Sequence, residues 1–309
     1  MKNIVSIKKK YQGGDLEKLE FVGLMNEKFK VLTDFHENIS KTPIQDITIS
    51  KNGVVFSINV LEKFLKFYMD PQDIRETPKE VFNFNNYELD EISFLTKLIK
   101  DCQVIFDIGS NIGWYSIYLD KFNGVEKIHS FEPIPANFKK LNSNLELNNT
   151  TKVLANNFGL SDSNEFLGMY YNSSLTGATS IKQNIDICDE LIQCQFKKMD
   201  DYVLENNVNK IDFIKIDIEG AELLALKGGL YSIQKFLPIL FLELLRKWSA
   251  NFNYHPNDVI NLLKDLGYSC YSVGKTLIKI DSITDETLAT NFYFFHDSKH
   301  KEALKSFYN

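Results

Sequence analysis

The sequence predicts an α/β protein: a mostly parallel sheet with helices on both faces, preceded by an N-terminal extension that contains a β-hairpin. Three observations carry this. From residue 104 onward, short apolar runs alternate with amphipathic segments, the pattern of strands joined by crossover helices. Four of those runs end in a carboxylate, at Asp107, Glu132, Asp217 and Glu243. The first run passes through a glycine-spaced turn, Asp107-Ile-Gly109-Ser-Asn111-Ile-Gly113, straight into a helical segment. The 309 residues are 44% hydrophobic and 25% charged, enough apolar material for a full core.

Residues 1–80 read as the extension and 81–309 as the main domain. The extension is charged and weakly periodic, with helical segments and one hairpin over residues 47–58. Apolar alternation there flanks Asn52-Gly53, a pair that suits a type I′ turn. Pro71 and Pro78 mark a loop before a helix at 87–100, whose Ile92, Leu95, Leu98 and Ile99 share a face. Asp90 and Glu91 fall in its first turn, where the helix dipole favours anions.

The main domain then runs strand 104–107, helix 114–122, strand 127–132 and a helix opened by Pro135, with a third strand at 152–158. A fourth strand at 211–217 leads to a helix at 221–227 with Gly228-Gly229 as its C-cap. A fifth strand at 238–243 and a helix at 256–266 follow. Late strands at 268–273, 277–280 and 292–295 have no helices between them and suggest an antiparallel edge. The segment 163–210 is long for one crossover, so it is expected to hold a hairpin of 165–171 with 192–199, or a flexible loop around 172–179.

In open parallel sheets, ligands bind outside the carboxyl ends of the strands. The carboxylate-ended strands therefore mark the site. Glycine at 109 and 113 lets the backbone take positive φ and lets a ligand approach the main chain, or serves the turn geometry alone. The spacing is G-x-N-x-G, with Asn111 where the dinucleotide fingerprint G-x-G-x-x-G has its second glycine. That points away from NAD and towards a ligand with no bridging phosphates. Glu132, 25 residues after Asp107 at the end of the second strand, stands where a carboxylate grips a ribose diol. Lys215 lies within an apolar strand and needs a partner, and alternation puts Asp217 on its face. Glu219 points towards the same cleft, whereas Glu222 suits a helix start. Glu243 is placed to line a substrate pocket, and His255, in a Tyr-His-Pro loop, is a rival general base.

Other classes are disfavoured. The net charge of −6 leaves no basic footprint for nucleic acid. Arg75 and Arg246 are the only arginines, so bidentate phosphate clamps are scarce. No H-E-x-x-H or G-x-S-x-G motif occurs. Cys102, Cys188, Cys194 and Cys270 fit no zinc spacing or disulfide framework, so free thiols in a reducing cytoplasm are expected. No signal peptide is visible, and the longest apolar stretch, 236–245, is too short to span a bilayer and contains Glu243.

These motifs together resemble S-adenosylmethionine-dependent methyltransferases of the FkbM family. The resemblance rests on VIFDIGSNIG at 104–113, Phe131-Glu-Pro, Asn157-Phe-Gly-Leu-Ser-Asp162, IKIDIEGAE at 214–222 with Gly228, and Asn291-Phe-Tyr-Phe-Phe, and it covers residues 80–296. It implies a Rossmann-like class I methyltransferase fold with a seven-stranded sheet. It further implies that Asp107, Gly109, Asn111 and Gly113 surround the methionine end of S-adenosyl-L-methionine, that Glu132 binds the ribose, and that Gly159 and Leu160 lie by the adenine. The implied reaction is O-methylation of a sugar hydroxyl in a glycan or glycolipid, or alternatively of a polyketide or other secondary metabolite. A nicotinamide-dependent oxidoreductase is a remoter reading. Asp217 would be base or orienter, supported by Glu219 and Glu243. No dedicated metal ligand is expected, although Mg²⁺ on the grouped carboxylates is an alternative route to an acidified hydroxyl. A small-molecule or glycan acceptor is the expected partner, and a homo-oligomer is compatible with the sequence.

Overall fold

The carboxylate-ended runs are neighbours in one sheet. The computed structural model describes residues 3–182, 190–274 and 276–308. Its strands are β1 (Ile44–Ser50), β2 (Gly53–Val60), β3 (Lys63–Tyr68), β4 (Val104–Ile108), β5 (Lys127–Phe131), β6 (Val153–Asn156), β7 (Gly159–Leu160), β8 (Glu165–Tyr171), β9 (Glu190–Lys197), β10 (Phe213–Ile216), β11 (Ile239–Glu243), β12 (Tyr268–Val273), β13 (Leu277–Ile280) and β14 (Asn291–His296). The main sheet has the order β13-β12-β14-β11-β10-β4-β5-β6. The five strands β6, β5, β4, β10 and β11 are parallel, and β14, β12 and β13 add an antiparallel edge. The expected seven strands are therefore present, with β13 as an eighth at the edge.

Both faces are covered because both sets of alternating side chains are apolar. Ile105, Phe213, Phe241 and Tyr293 point to one face, with Leu95 and Tyr118 from the helices Leu89–Leu98 and Trp114–Asp120. Phe106, Ile214, Leu240 and Phe292 point to the other, against Tyr202, Leu226 and Val259. The extension lies on the first face. Its β1–β3 meander contains the expected hairpin and a third strand that was not foreseen, where exposed Phe64 breaks the alternation. Asn148 and Asn144 of the helix Pro135–Leu147 hydrogen-bond the β3 backbone at Lys66 and Tyr68, and Phe67 stacks on Trp114. The long crossover holds the expected β8–β9 hairpin, which joins β7 in a small third sheet. Cys102, Cys194 and Cys270 are free and buried, and Cys188 lies outside the described residues.

One turn reading differs from expectation and another gains a second role. The hairpin pairs Ser50 with Gly53, so Lys51 and Asn52 are its central residues, and neither has a positive φ. Type I′ geometry is absent, and Gly53 instead takes a φ of 130° as the first residue of β2. Gly228 and Gly229 have negative φ, and a second helix, Leu230–Phe236, follows them. Gly228 is the expected C-cap of the helix Glu222–Lys227, and both glycines also permit close approach: a Cβ at Gly228 would sit 1.9 Å from the Ser161 carbonyl oxygen, and one at Gly229 would meet Met199.

A pair of substitutions separates space from helix propensity. Gly228→Ala should lower stability by about 1–3 kcal/mol through overpacking. Gly23→Ala, in the helix Lys18–Ile39 with nothing within 4 Å, should be neutral or stabilising by up to about 1 kcal/mol. Urea unfolding of both variants checks this; equal midpoints would contradict the packing described.

Candidate active site

A cavity of about 420 Å³ opens at the carboxyl ends of β4, β5, β10 and β11. The strand order reverses there, between β4 and β10, so the loops after the two strands diverge and leave a crevice. Period-2 alternation puts Asp107 on the same sheet face as Lys215, directly across from it in the β4–β10 ladder. The same rule places Phe241 beside Lys215 and Glu243 one step further along β11.

The turn after β4 is fixed by short backbone bonds. The amides of Gly109 and Ser110 both donate to the Phe131 carbonyl, at 3.0 Å each. Gly109 has φ +82°, and a Cβ there would sit 1.9 Å from the Asp217 carbonyl oxygen. Only glycine allows the ends of β4 and β10 to come this close, which holds Asp107 and Asp217 in one wall. Asn111 also has a positive φ, 46°, and its amide donates to Glu132 Oε2 at 3.0 Å. The Ile134 amide donates to Glu132 Oε1 at 2.9 Å. Burial pushes the Glu132 carboxyl up to about 7, against the lowering effect of those N–H donors.

Past Glu132 the cavity is apolar, walled by Ile134, Leu160, Met169, Ile181 and Phe196. Gly159 borders it, and a Cβ at that position would clash with the Phe196 ring at 2.3 Å. The opposite end is acidic. Lys215 Nζ lies 3.1 Å from Asp217 Oδ2 and 4.8 Å from the centroid of the Tyr115 ring. Burial alone would lower the Lys215 ammonium, but Asp217, Asp107 and Glu88 together outweigh it and hold it above its usual value. Burial and the nearby Asp217 charge push Glu219 and Glu243 well above the usual carboxylate range. Among the described residues, one oxygen from each of Asp217, Glu219 and Glu243 can lie within 4.8 Å of the others, a set able to hold a metal ion. Tyr87, Trp114 and Trp248 supply aromatic surface around these carboxylates.

Of the expected residues, Asp107, Gly109, Asn111, Glu132, Gly159, Leu160, Asp217, Glu219 and Glu243 all line the cavity. Two do not. Gly113 is the N-cap of the helix Trp114–Asp120 and faces Leu141, which a Cβ would approach to 2.7 Å. His255 caps the helix Pro256–Asp265, and its Nδ1 accepts from the Asn257 amide at 3.2 Å. Its imidazole therefore has a structural partner away from the cavity. Glu222 stands in the first turn of the helix Glu222–Lys227, as expected, where it accepts from the Gly220 amide at 3.0 Å and from the Tyr254 hydroxyl.

Several lining residues were not foreseen. Glu88 sits at the N-cap of Leu89–Leu98 with φ 49°, and its carboxylate accepts from the Tyr115 hydroxyl. Asn137 occupies the first turn of Pro135–Leu147, where a side chain points back to the strand end; its position three residues past the helix N-cap was the available signal. Asp73, Arg75 and Thr77 come from the extension, and Leu175 to Thr179 from the segment after β8. The two segments are tied together: the Ile74 amide donates to the Ser174 carbonyl at 2.9 Å, and the Thr176 hydroxyl donates to Asp73.

The model of the methyltransferase FkbM domain matches residues 107–270, more than half of the chain. The chain is 29% identical over 146 residues to Methyltransferase 1 of Beauveria bassiana, a match that covers 41% of this chain and 59% of that protein. It is 28% identical over 179 residues to Methyltransferase sdnD of Sordaria araneosa, covering 48% and 66% respectively. It thus spans less than two thirds of either relative. Among solved structures, it is similar to an FkbM methyltransferase from Methylobacillus flagellatus, at 19% identity and a TM-score of 0.41, over 74% of this chain and 56% of that one. By the extent of the domain match, the chain belongs to the FkbM methyltransferase family.

Proposed function

We propose that this chain is an S-adenosylmethionine-dependent O-methyltransferase whose acceptor is a sugar hydroxyl of a glycan or glycolipid. The observation that carries the reading is the two-ended cavity. One end offers a buried carboxylate, Glu132, beside an apolar slot bordered by Gly159 and Leu160, a combination suited to a ribose and a purine. The other offers carboxylates interleaved with aromatic rings, a combination suited to a polyhydroxylated ring with apolar faces.

When bound, S-adenosylmethionine supplies an electrophilic methyl group on a sulfonium. The residues that would hold it are Asp107, Gly109, Asn111, Glu132, Gly159 and Leu160. Asp107 Oδ1 is buried in the cavity wall with no hydrogen-bond partner, an acceptor waiting for a donor such as the ammonium of the methionine moiety. The chain's own chemical task is to align the acceptor hydroxyl and take its proton. Asp217, braced by Lys215, orients that hydroxyl. Glu219 and Glu243 border the same space in support of Asp217, and a carboxylate of this group within hydrogen-bond reach takes the proton as the oxygen attacks. Alignment supplies much of the rate in such a displacement. A cytoplasmic setting is supported by the three buried free thiols.

Calorimetric titration tests the cofactor half. S-adenosylhomocysteine should bind and NADH should not, and Glu132→Ala should weaken binding by about ten- to a hundredfold; the reverse preference would overturn the reading. The protonated form of Glu132 is the weaker acceptor, so affinity should rise as pH passes upward through about 7. That rise should vanish in Glu132→Gln. For the acceptor half, a screen of sugar acceptors should yield a methyl ether. Asp217→Asn should then lower kcat by about 10²–10⁴-fold and leave S-adenosylhomocysteine affinity within about twofold. An unchanged kcat would remove Asp217 from the reaction.

A further inference from the structure

Glu132 has a second buried acceptor beside it on the cavity wall, the Asn137 side chain. A carboxylate offers about four acceptor sites. Two are engaged, by the Asn111 amide at 3.0 Å and the Ile134 amide at 2.9 Å, and the Asn137 side chain lies near enough to lower the proton affinity of the same carboxyl. A ribose diol brings two hydroxyl donors, and a second acceptor beside the carboxylate lets the two groups divide them. Asn137 is 1% exposed and lines the cavity, and its Oδ1 is buried with no hydrogen-bond partner. Asn111 Oδ1 is also buried without a partner, but that side chain is only half-buried and its Nδ2 lies towards Gly177 across the cavity, 4.0 Å from where a Cβ would be.

We infer that Asn137 is a cofactor-binding residue that shares the ribose diol with Glu132, its Oδ1 accepting one hydroxyl while Glu132 accepts the other. This rests on the S-adenosylmethionine reading above. Pro135 at the start of the helix fixes the position of Asn137, so the acceptor is held in place before the ligand arrives. Leaving Oδ1 buried and unsatisfied is costly in the free chain, and a ribose hydroxyl relieves it.

Titration of S-adenosylhomocysteine and its 2′-deoxy and 3′-deoxy counterparts tests this. On the wild-type chain, each deoxy compound should bind about three- to tenfold more weakly than the parent, the size of one hydrogen bond. Asn137→Leu should bind the parent weaker by a similar factor and should no longer distinguish it from one of the two deoxy compounds. Asn137→Ala serves if the leucine variant does not fold. If neither folds, the wild-type comparison decides, and a deoxy compound that binds undiminished overturns the shared grip. Parent binding unchanged in the variant, or an equal loss for all three compounds, also overturns it. A wild-type chain that binds none of the three overturns the cofactor reading and this inference with it.

Discussion

A single buried cation, Lys215, organises the acidic end of the cavity. It sits in the middle of an apolar strand, where an unpaired ammonium would not be tolerated. The carboxylates of Asp217, Asp107 and Glu88 converge on it from β10, β4 and the start of Leu89–Leu98, and the Tyr115 ring faces it. The ammonium is held charged by the carboxylates and offsets in turn the repulsion that Asp217 exerts on Asp107 and Glu88. The close approach of the β4 turn to the β10 end, which Gly109 permits, is what brings them within reach. The fold thus gathers negative charge at the switch point and stabilises part of it with one ammonium. Glu219 and Glu243 lie outside that compensation and hold their protons more tightly.

The cavity also depends on the extension. Asp73, Arg75 and Thr77 close one side of it, bound to the segment that follows β8. The extension is anchored through β3 on the helix Pro135–Leu147, the element that carries Asn137. The β4–β5 end and the β10–β11 end of the cavity therefore share a support. A change in how the meander sits on that helix would be felt at both.

The strand ends were legible from sequence because a parallel strand buried on both faces reads as an apolar run, and the residue that ends it must be near the site. Asp107, Glu132, Asp217 and Glu243 follow from that rule alone. Glu88 and Arg75 were not legible. They arrive from segments without alternation, and Glu88 is turned inward by a left-handed backbone that no local pattern announces. His255 shows the opposite error: a histidine before a proline looks the same whether it serves chemistry or caps a helix. Gly228 and Gly229 show that a glycine pair after a helix can report close packing against another segment as well as a cap. Asn137 was visible only as a polar residue on an otherwise ordinary helix, and its meaning needed the unfilled hydrogen bond beside Glu132.

The central claim is that the β4–β5 end of the cavity holds the nucleoside and the β10–β11 end the reacting hydroxyl. A crystal structure of the chain with S-adenosylhomocysteine tests it most directly. The account expects the ribose against Glu132, the adenine between Ile134, Leu160 and Phe196, and the sulfur turned towards Asp217. A nucleoside lying against Glu219 and Glu243, or anywhere outside this cavity, would contradict it.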